Sequence, residues 1–220
     1  MIGRWSGSVE AGLLAFDPVD PPDLPAASPA AFLDRDGVLN ETVPDPVTGV
    51  PESPLDVAEV RLLPEVAEAL AKLAAAGYAL VCVSNQPAAA KGKVTVERLQ
   101  AVHERVLELL ALKDVRISAS RLCLHHRDGV VPGLSGSCDC RKPAPGMLLD
   151  AAASLSLNVT ASWMLGDTDT DVTAGQAAGC RTVLIGYPGS AHKRAGGTRP
   201  DLRALDLADG VAQLLDHGGG

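Results

Sequence analysis

Two aspartates stand two residues apart in LDRDG, at Asp34 and Asp36. Carboxylates at that spacing point the same way if the preceding strand continues. They repel unless a cation or a shared proton lies between them. A solvated turn is the plainer alternative, since Asp-Gly is a common turn pair. SNQ offers the Ser84 hydroxyl and the Asn85 amide, both suited to phosphate oxygens, or simply a polar loop start. GDTDTD carries Asp167, Asp169 and Asp171. A calcium loop would need Gly and Glu where Val172 and Ala178 stand, so that reading is rejected. Asp167 reads instead as a carboxylate able to reach a metal, and Asp171 as a first-turn helix residue, where negative charge is favoured. Arg141 and Lys142 are a basic pair in a chain of formal net charge -8, either a phosphate clamp or a solvated surface pair. PAAAKGKV is not a nucleotide-binding P-loop, because Pro87 replaces the first Gly and Val94 the Ser or Thr after Lys93.

A second group gathers three of the five cysteines in CLHHRDGVVPGLSGSCDC. Cys123, His125, Cys138 and Cys140 supply three sulfurs and one imidazole, a tetrahedral set for Zn²⁺. Four protein ligands leave no open position, so such a zinc is structural. His126 is the weaker candidate by spacing. A Cys138–Cys140 disulfide would close a very tight ring, and free thiols without a partner are the other alternative. Gly129, Gly133 and Gly136 leave the loop little to fold around, so a metal would pin its ends and carry Arg141 and Lys142 into place.

These parts need a scaffold. The 220 residues suit one domain with room for a substantial core, which must be built from Ala, Leu and Val because aromatics are only 3%. The acidic balance argues against nucleic-acid and anionic-membrane surfaces. No apolar run approaches the roughly 20 residues of a spanning helix, and the first residues do not read as a signal peptide. The odd cysteine count fits a reduced, cytoplasmic setting. Prolines at 18, 21, 22, 25 and 29 mark residues 1–28 as an irregular leader. AAFLDRD, YALVCVSN, RISASRLCLH, SWMLGD and RTVLIG read as strands. PEVAEALAKLAAAG, TVERLQAVHERVLELL, PGMLLDAAASLSL, TDVTAGQAAG and DGVAQLLD read as helices, and 40–63 as a loop or small cap. Apolar strands alternating with helices predict an α/β domain over 29–220 with a mostly parallel sheet. In such sheets the chemistry collects at the carboxyl ends of strands.

An acidic pair, a hydroxyl, a lysine and a further carboxylate, in that order along one α/β domain, resemble the haloacid dehalogenase (HAD) superfamily of phosphatases from about Ala31 to Gly186. The resemblance implies a Rossmannoid three-layer fold with a minimal cap. It implies Asp34 as the nucleophile that forms an aspartyl-phosphate. Asp36 would be acid and then base. Mg²⁺ would be held by Asp34, the backbone carbonyl of Asp36, and Asp167. Ser84 and Lys142 would bind the phosphate oxygens.

CxH...CDCRKPAPGMLL is similar to a narrower branch, the heptose-bisphosphate 7-phosphatases, and the zinc-bearing histidinol-phosphate phosphatases share CxH...CDCRKP. PAPGMLL and the spacing of NQPAAAKG favour the heptose branch. There, Arg141 would recognise the sugar phosphate and Asn85 would lie in the substrate loop. Pro87, Ala88, Ala89, Lys91 and Thr168 depart from that branch's pattern, as do the long 40–56 stretch and the leader. The expectation is a monomeric phosphatase of a small phosphorylated sugar, with Mg²⁺ catalytic and Zn²⁺ structural. Histidinol phosphate is the substrate alternative. A non-catalytic zinc-stabilised binding module is the alternative of a different class.

Overall fold

The apolar runs assemble into one eight-stranded sheet in the computed structural model, which describes residues 5–19 and 24–218. In chain order the elements open with β1 (Trp5–Glu10), β2 (Leu13–Pro18), β3 (Ala30–Leu33), β4 (Val43–Pro44) and β5 (Pro51–Glu52). Next come α1 (Val66–Ala75), β6 (Ala79–Asn85), α2 (Val96–Ala111), β7 (Ala119–Cys123) and α3 (Gly146–Leu155). The chain ends with β8 (Trp163–Gly166), α4 (Asp169–Ala178), β9 (Arg181–Ile185), β10 (Leu202–Ala204) and α5 (Leu207–Gly218). The sheet order is β1-β2-β7-β6-β3-β8-β9-β10. From β7 to β10 all pairings are parallel, while β1 and β2 are antiparallel additions at one edge.

Strand periodicity divides the core into two layers, as side chains alternate between the faces of a sheet. Ala31, Leu33, Leu80 and Cys82 pack towards α1, α2 and α5, while Ala30, Phe32, Ala79, Val81 and Val83 pack towards α3 and α4. The result is the expected α/β/α sandwich. The chain crosses from β3 outward through β6 to β7, then returns to the other side of β3 as β8. That reversal makes a topological switch point beside β3, where a crevice opens at the carboxyl ends.

The irregular leader needs correction. Residues 5–18 form a hairpin that extends the sheet, with Leu14 and Phe16 fully buried and their neighbours less so. LLAF is a short continuous apolar run, which is compatible with a strand, and the prolines that follow it outweighed it in the sequence. Residues 24–28 are irregular as expected, whereas positions 1–4 and 20–23 of that leader lie outside the described residues. The 40–63 stretch is a small cap containing the two-stranded β4–β5 ribbon and a 3₁₀ turn at Val57–Glu59.

One core residue breaks the pattern. His103 lies on the buried face of α2, its ring 4.7 Å from that of Phe16. Neither ring nitrogen has a hydrogen-bond partner among the described residues. Burial, with a smaller push from Arg35, lowers its pKa from the usual 6.5 to about 3. The unfolded chain therefore binds a proton below about pH 6.5 that the native state refuses, so stability falls as pH drops from there towards 3. His103→Leu removes the unsatisfied polar group and is expected to stabilise the fold by about 1–3 kcal/mol. It should also flatten the acid limb. Urea titrations at pH 7.5 and pH 5 check this, and an unchanged gap between the two pH values in the variant contradicts it.

Candidate active site

Asp34 is the first residue beyond β3, its backbone N–H donating to Leu165 O at 3.0 Å, and Asp167 is the first beyond β8. The turn that follows Asp34 packs against Asp167 and depends on Gly37. Its φ is +87°, and a Cβ there would lie 2.2 Å from Asp167 Oδ2. Glycine alone meets both conditions. The Asp34, Asp167 and Asp171 carboxylates are all buried, each offering an oxygen within 4.8 Å of the others.

One cation answers them. Lys142 is 3% exposed, and its Nζ lies 3.0 Å from Asp34 Oδ1 and 2.6 Å from Asp171 Oδ1, while donating to Val83 O at 2.8 Å. Its backbone is held separately. The Asn85 amide donates to Lys142 O at 2.9 Å and accepts from Lys142 N at 3.0 Å. Asn85 thus uses its amide to fasten the lysine to the end of β6. Asp171 also does more than cap a helix. Its Oδ2 accepts from Thr168 N at 3.0 Å and Thr168 Oγ1 at 2.6 Å, in a capping box that leaves Oδ1 facing the ammonium.

Burial raises Asp34 to about 6, with Lys142 opposing and Asp171 and Asp36 adding to the rise. Burial, then the charges of Asp34 and Asp171, raise Asp167 to about 8. Asp167 Oδ1 has no hydrogen-bond partner among the described residues. An orphaned buried carboxylate oxygen beside two more carboxylates suits a hard divalent cation, which oxygen ligands bind best. The donor set therefore fits Mg²⁺.

Asp36 is differently placed. Its carboxylate accepts from Arg35, from Asn40 Nδ2 at 2.9 Å, Ser53 Oγ at 2.8 Å and Gln86 Nε2 at 2.6 Å. Burial alone would raise it, but the Arg35 guanidinium and these donors hold it below the usual carboxylate range. Ser84 sits at the end of β6, 2% exposed, its hydroxyl accepting from Gln86 Nε2 at 3.1 Å. Sequence reasoning missed Ser53 and Gln86 as partners of Asp36. Gln86 is the last residue of SNQ, next to the Ser84–Asn85 pair already singled out, whereas nothing around Ser53 signals its role. Both residues line a cavity of about 550 Å³ between the cap and the 86–98 segment. Asp45–Lys93 and Asp56–Arg98 ion pairs tie the two walls together.

The second cluster forms as expected. Cys123, His125, Cys138 and Cys140 converge at the end of β7, with sulfur–sulfur distances of 3.1, 3.3 and 3.7 Å. His125 Nδ1 lies 3.7 Å from Cys123 Sγ and 3.5 Å from Cys140 Sγ. A tetrahedron of thiolates bound at about 2.3 Å has edges of roughly 3.8 Å, so the four donors suit Zn²⁺. All five cysteines are free, and the rival Cys138–Cys140 bridge is not made. A hydrogen bond from Cys140 lowers Cys123 to about 5, so the cluster readily yields a thiolate. His126 stays outside, its Nδ1 accepting from Asp128 N at 3.2 Å. Arg141 reaches back to the loop, Nη1 donating to His125 O at 2.9 Å.

Among known families, the one described as HAD-hydrolase-like matches residues 139–210. A D-glycero-beta-D-manno-heptose-1,7-bisphosphate 7-phosphatase of Rhodopseudomonas palustris is 38% identical over 69% of the chain and 79% of that protein. The Yersinia pestis enzyme of the same name is 35% identical over 82% of the chain and 92% of that protein. The crystal structure of D,D-heptose 1,7-bisphosphate phosphatase from B. bronchiseptica, complexed with magnesium and phosphate, superposes with a TM-score of 0.71 at 30% identity. It covers 86% of this chain and 99% of that one.

Proposed function

The chain belongs to the HAD-superfamily phosphatases, in the branch of the heptose-1,7-bisphosphate 7-phosphatases, and from that premise we propose that it removes the 7-phosphate of D-glycero-D-manno-heptose 1,7-bisphosphate through an aspartyl-phosphate on Asp34. The observation that carries the reading is the placement of Lys142 Nζ, buried at the switch point 3.0 Å from Asp34 Oδ1.

An Asp34 carboxylate oxygen attacks phosphorus, the phosphorus–oxygen ester bond breaks, and Asp36 protonates the departing alkoxide. A water then attacks the aspartyl-phosphate, giving its proton to Asp36 and releasing phosphate. Lys142 and the Ser84 hydroxyl orient the non-transferring oxygens and meet the charge that builds on them. The donors around Asp36 keep it ionised at rest, which suits the base half of the cycle. An approaching phosphate anion raises a nearby carboxylate, which suits the acid half. Asp34, Asp167 and the Asp36 carbonyl would hold Mg²⁺, which when bound supplies charge that offsets repulsion between carboxylate and phosphate. Arg141 contacts the sugar phosphate, and the cavity beside Asp36 receives the leaving group.

Zn²⁺ at Cys123, His125, Cys138 and Cys140 would be structural, because all four positions are taken by protein. A monomer in the cytoplasm belongs to the same reading.

Phosphate release with Mg²⁺ present, from both heptose bisphosphate anomers and histidinol phosphate, tests the substrate. The expected preference for a heptose anomer in kcat/KM is at least about tenfold, some 1.4 kcal/mol in barrier. A smaller preference, or faster turnover of histidinol phosphate, removes the heptose assignment.

A further inference from the structure

We propose that the N-terminal hairpin is a positioning element of the zinc cluster, its turn fixing the His125 imidazole so that Nδ1 faces the metal. The inference rests on the zinc reading above and adds residues from a segment that supplies no ligand.

The hairpin meets the cluster at its base. β2 pairs with β7 so that Leu13 lies opposite Cys123, the first ligand. Leu124 N, between the first two ligands, donates to Gly12 O at 3.0 Å. Leu13 packs against the apolar layer that contains Cys123, as do Cys138 and Cys140. The connection is a two-residue turn, with Ala11 at φ +44° and Gly12 at φ +73°. Such turns need positive φ at both central residues, which brings the backbone round tightly.

That tight backbone lies against the imidazole. A Cβ on Gly12 would be 2.4 Å from His125 Cε1 and 2.5 Å from Nε2. The same Cβ would lie 3.0 Å from Nδ1, the nitrogen that the ring presents to Cys123 and Cys140. The ring is thus held between cluster and turn, and His125 is only 8% exposed. Groups that orient a ligating histidine change metal affinity by about 10–100-fold when altered. Cys138 and Cys140, on the glycine-rich side, remain half-buried. The hairpin therefore covers the side of the cluster that the loop does not.

Gly12→Ala tests this in the full chain. Gly133→Ala is the control, since Gly133 has a similar φ of +80° in the glycine-rich loop but nothing within 4 Å of its Cβ position. Each purified protein is assayed for zinc per chain and for the rate of zinc release to an excess of a chromogenic chelator. Wild type should carry about one zinc, and Gly12→Ala should release it at least about tenfold faster than Gly133→Ala. The same comparison in a His125→Cys background separates a ring clash from general unfolding. There the Gly12→Ala effect should disappear, because a thiol leaves room for the methyl group. Equal release from Gly12→Ala and Gly133→Ala overturns the inference. So does a Gly12→Ala effect that persists with His125→Cys. A wild type with no zinc overturns the zinc reading as well, whereas a zinc-loaded wild type with an unaffected Gly12→Ala overturns only the role of the hairpin.

Discussion

Asp34→Asn is expected to lower kcat at least about 10³-fold, roughly 4 kcal/mol in barrier, while the protein stays folded and retains its zinc. An amide has no anionic oxygen with which to open the phosphate ester. Lys142 and Ser84 keep their places and can still bind the phosphate. The loss should therefore fall on kcat more than on KM. Acid-quenching wild type during turnover should leave one phosphoryl group on the peptide that contains residue 34, and none on the variant. Label on another residue, or an Asp34→Asn protein within about tenfold of wild type, would sink the covalent mechanism.

The second large effect belongs to Lys142→Met. The ammonium is the cation that Asp34 and Asp171 share, and Asp167 lies in the same cluster. Removing one member of a buried ion pair typically costs about 3–5 kcal/mol, because the surviving charges stay desolvated and unpaired. Turnover should fall about 10²–10³-fold, as for the loss of a transition-state hydrogen-bond donor. The pH dependence has a definite sign. Burial and mutual repulsion already raise Asp34 to about 6 and Asp167 to about 8. Stability contributed by raised carboxyls is present at low pH and is lost as pH rises through those values. Without the lysine the rise is larger, so the deficit should be greatest above pH 8 and should narrow below pH 6. Urea titrations in magnesium-free buffer at pH 8.5 and pH 5.5 give the comparison. Equal deficits at the two pH values would mean that Lys142 does not balance these carboxylates.

The legible parts of the site share a cause. Asp34, Ser84 and Asp167 follow apolar runs that could only be buried strands, so their strand-end positions could be inferred from local sequence. The Cys123, His125, Cys138 and Cys140 cluster was legible because residue type and spacing suffice. The rest depends on pairings that span long separations. Asn85 and Lys142 are 57 residues apart, and no local pattern states that one amide grips the other's backbone. Ser53 reaches Asp36 only because the cap folds back over the strand end. His103 occupies a helix position whose periodicity predicts an apolar residue, and the sequence gives no sign that an imidazole will fill it. In the leader, a short apolar run competed with a dense cluster of prolines. The apolar run governed structure because Leu14 and Phe16 found an open sheet edge to complete.

The double grip on Lys142 also bears on how the chain can tolerate change. Residue 140 is fixed from one side by the sulfur cluster and residue 142 from the other by Asn85. The twelve residues between His125 and Cys138 run between anchored ends, with Val130 N and Val131 N also bonded to Ala90 O. Their number can therefore drift, by insertion or deletion, without displacing the ammonium, since each doubling of such a loop costs only about 0.6 kcal/mol. The short step from Cys140 through Arg141 to Lys142 has no such latitude.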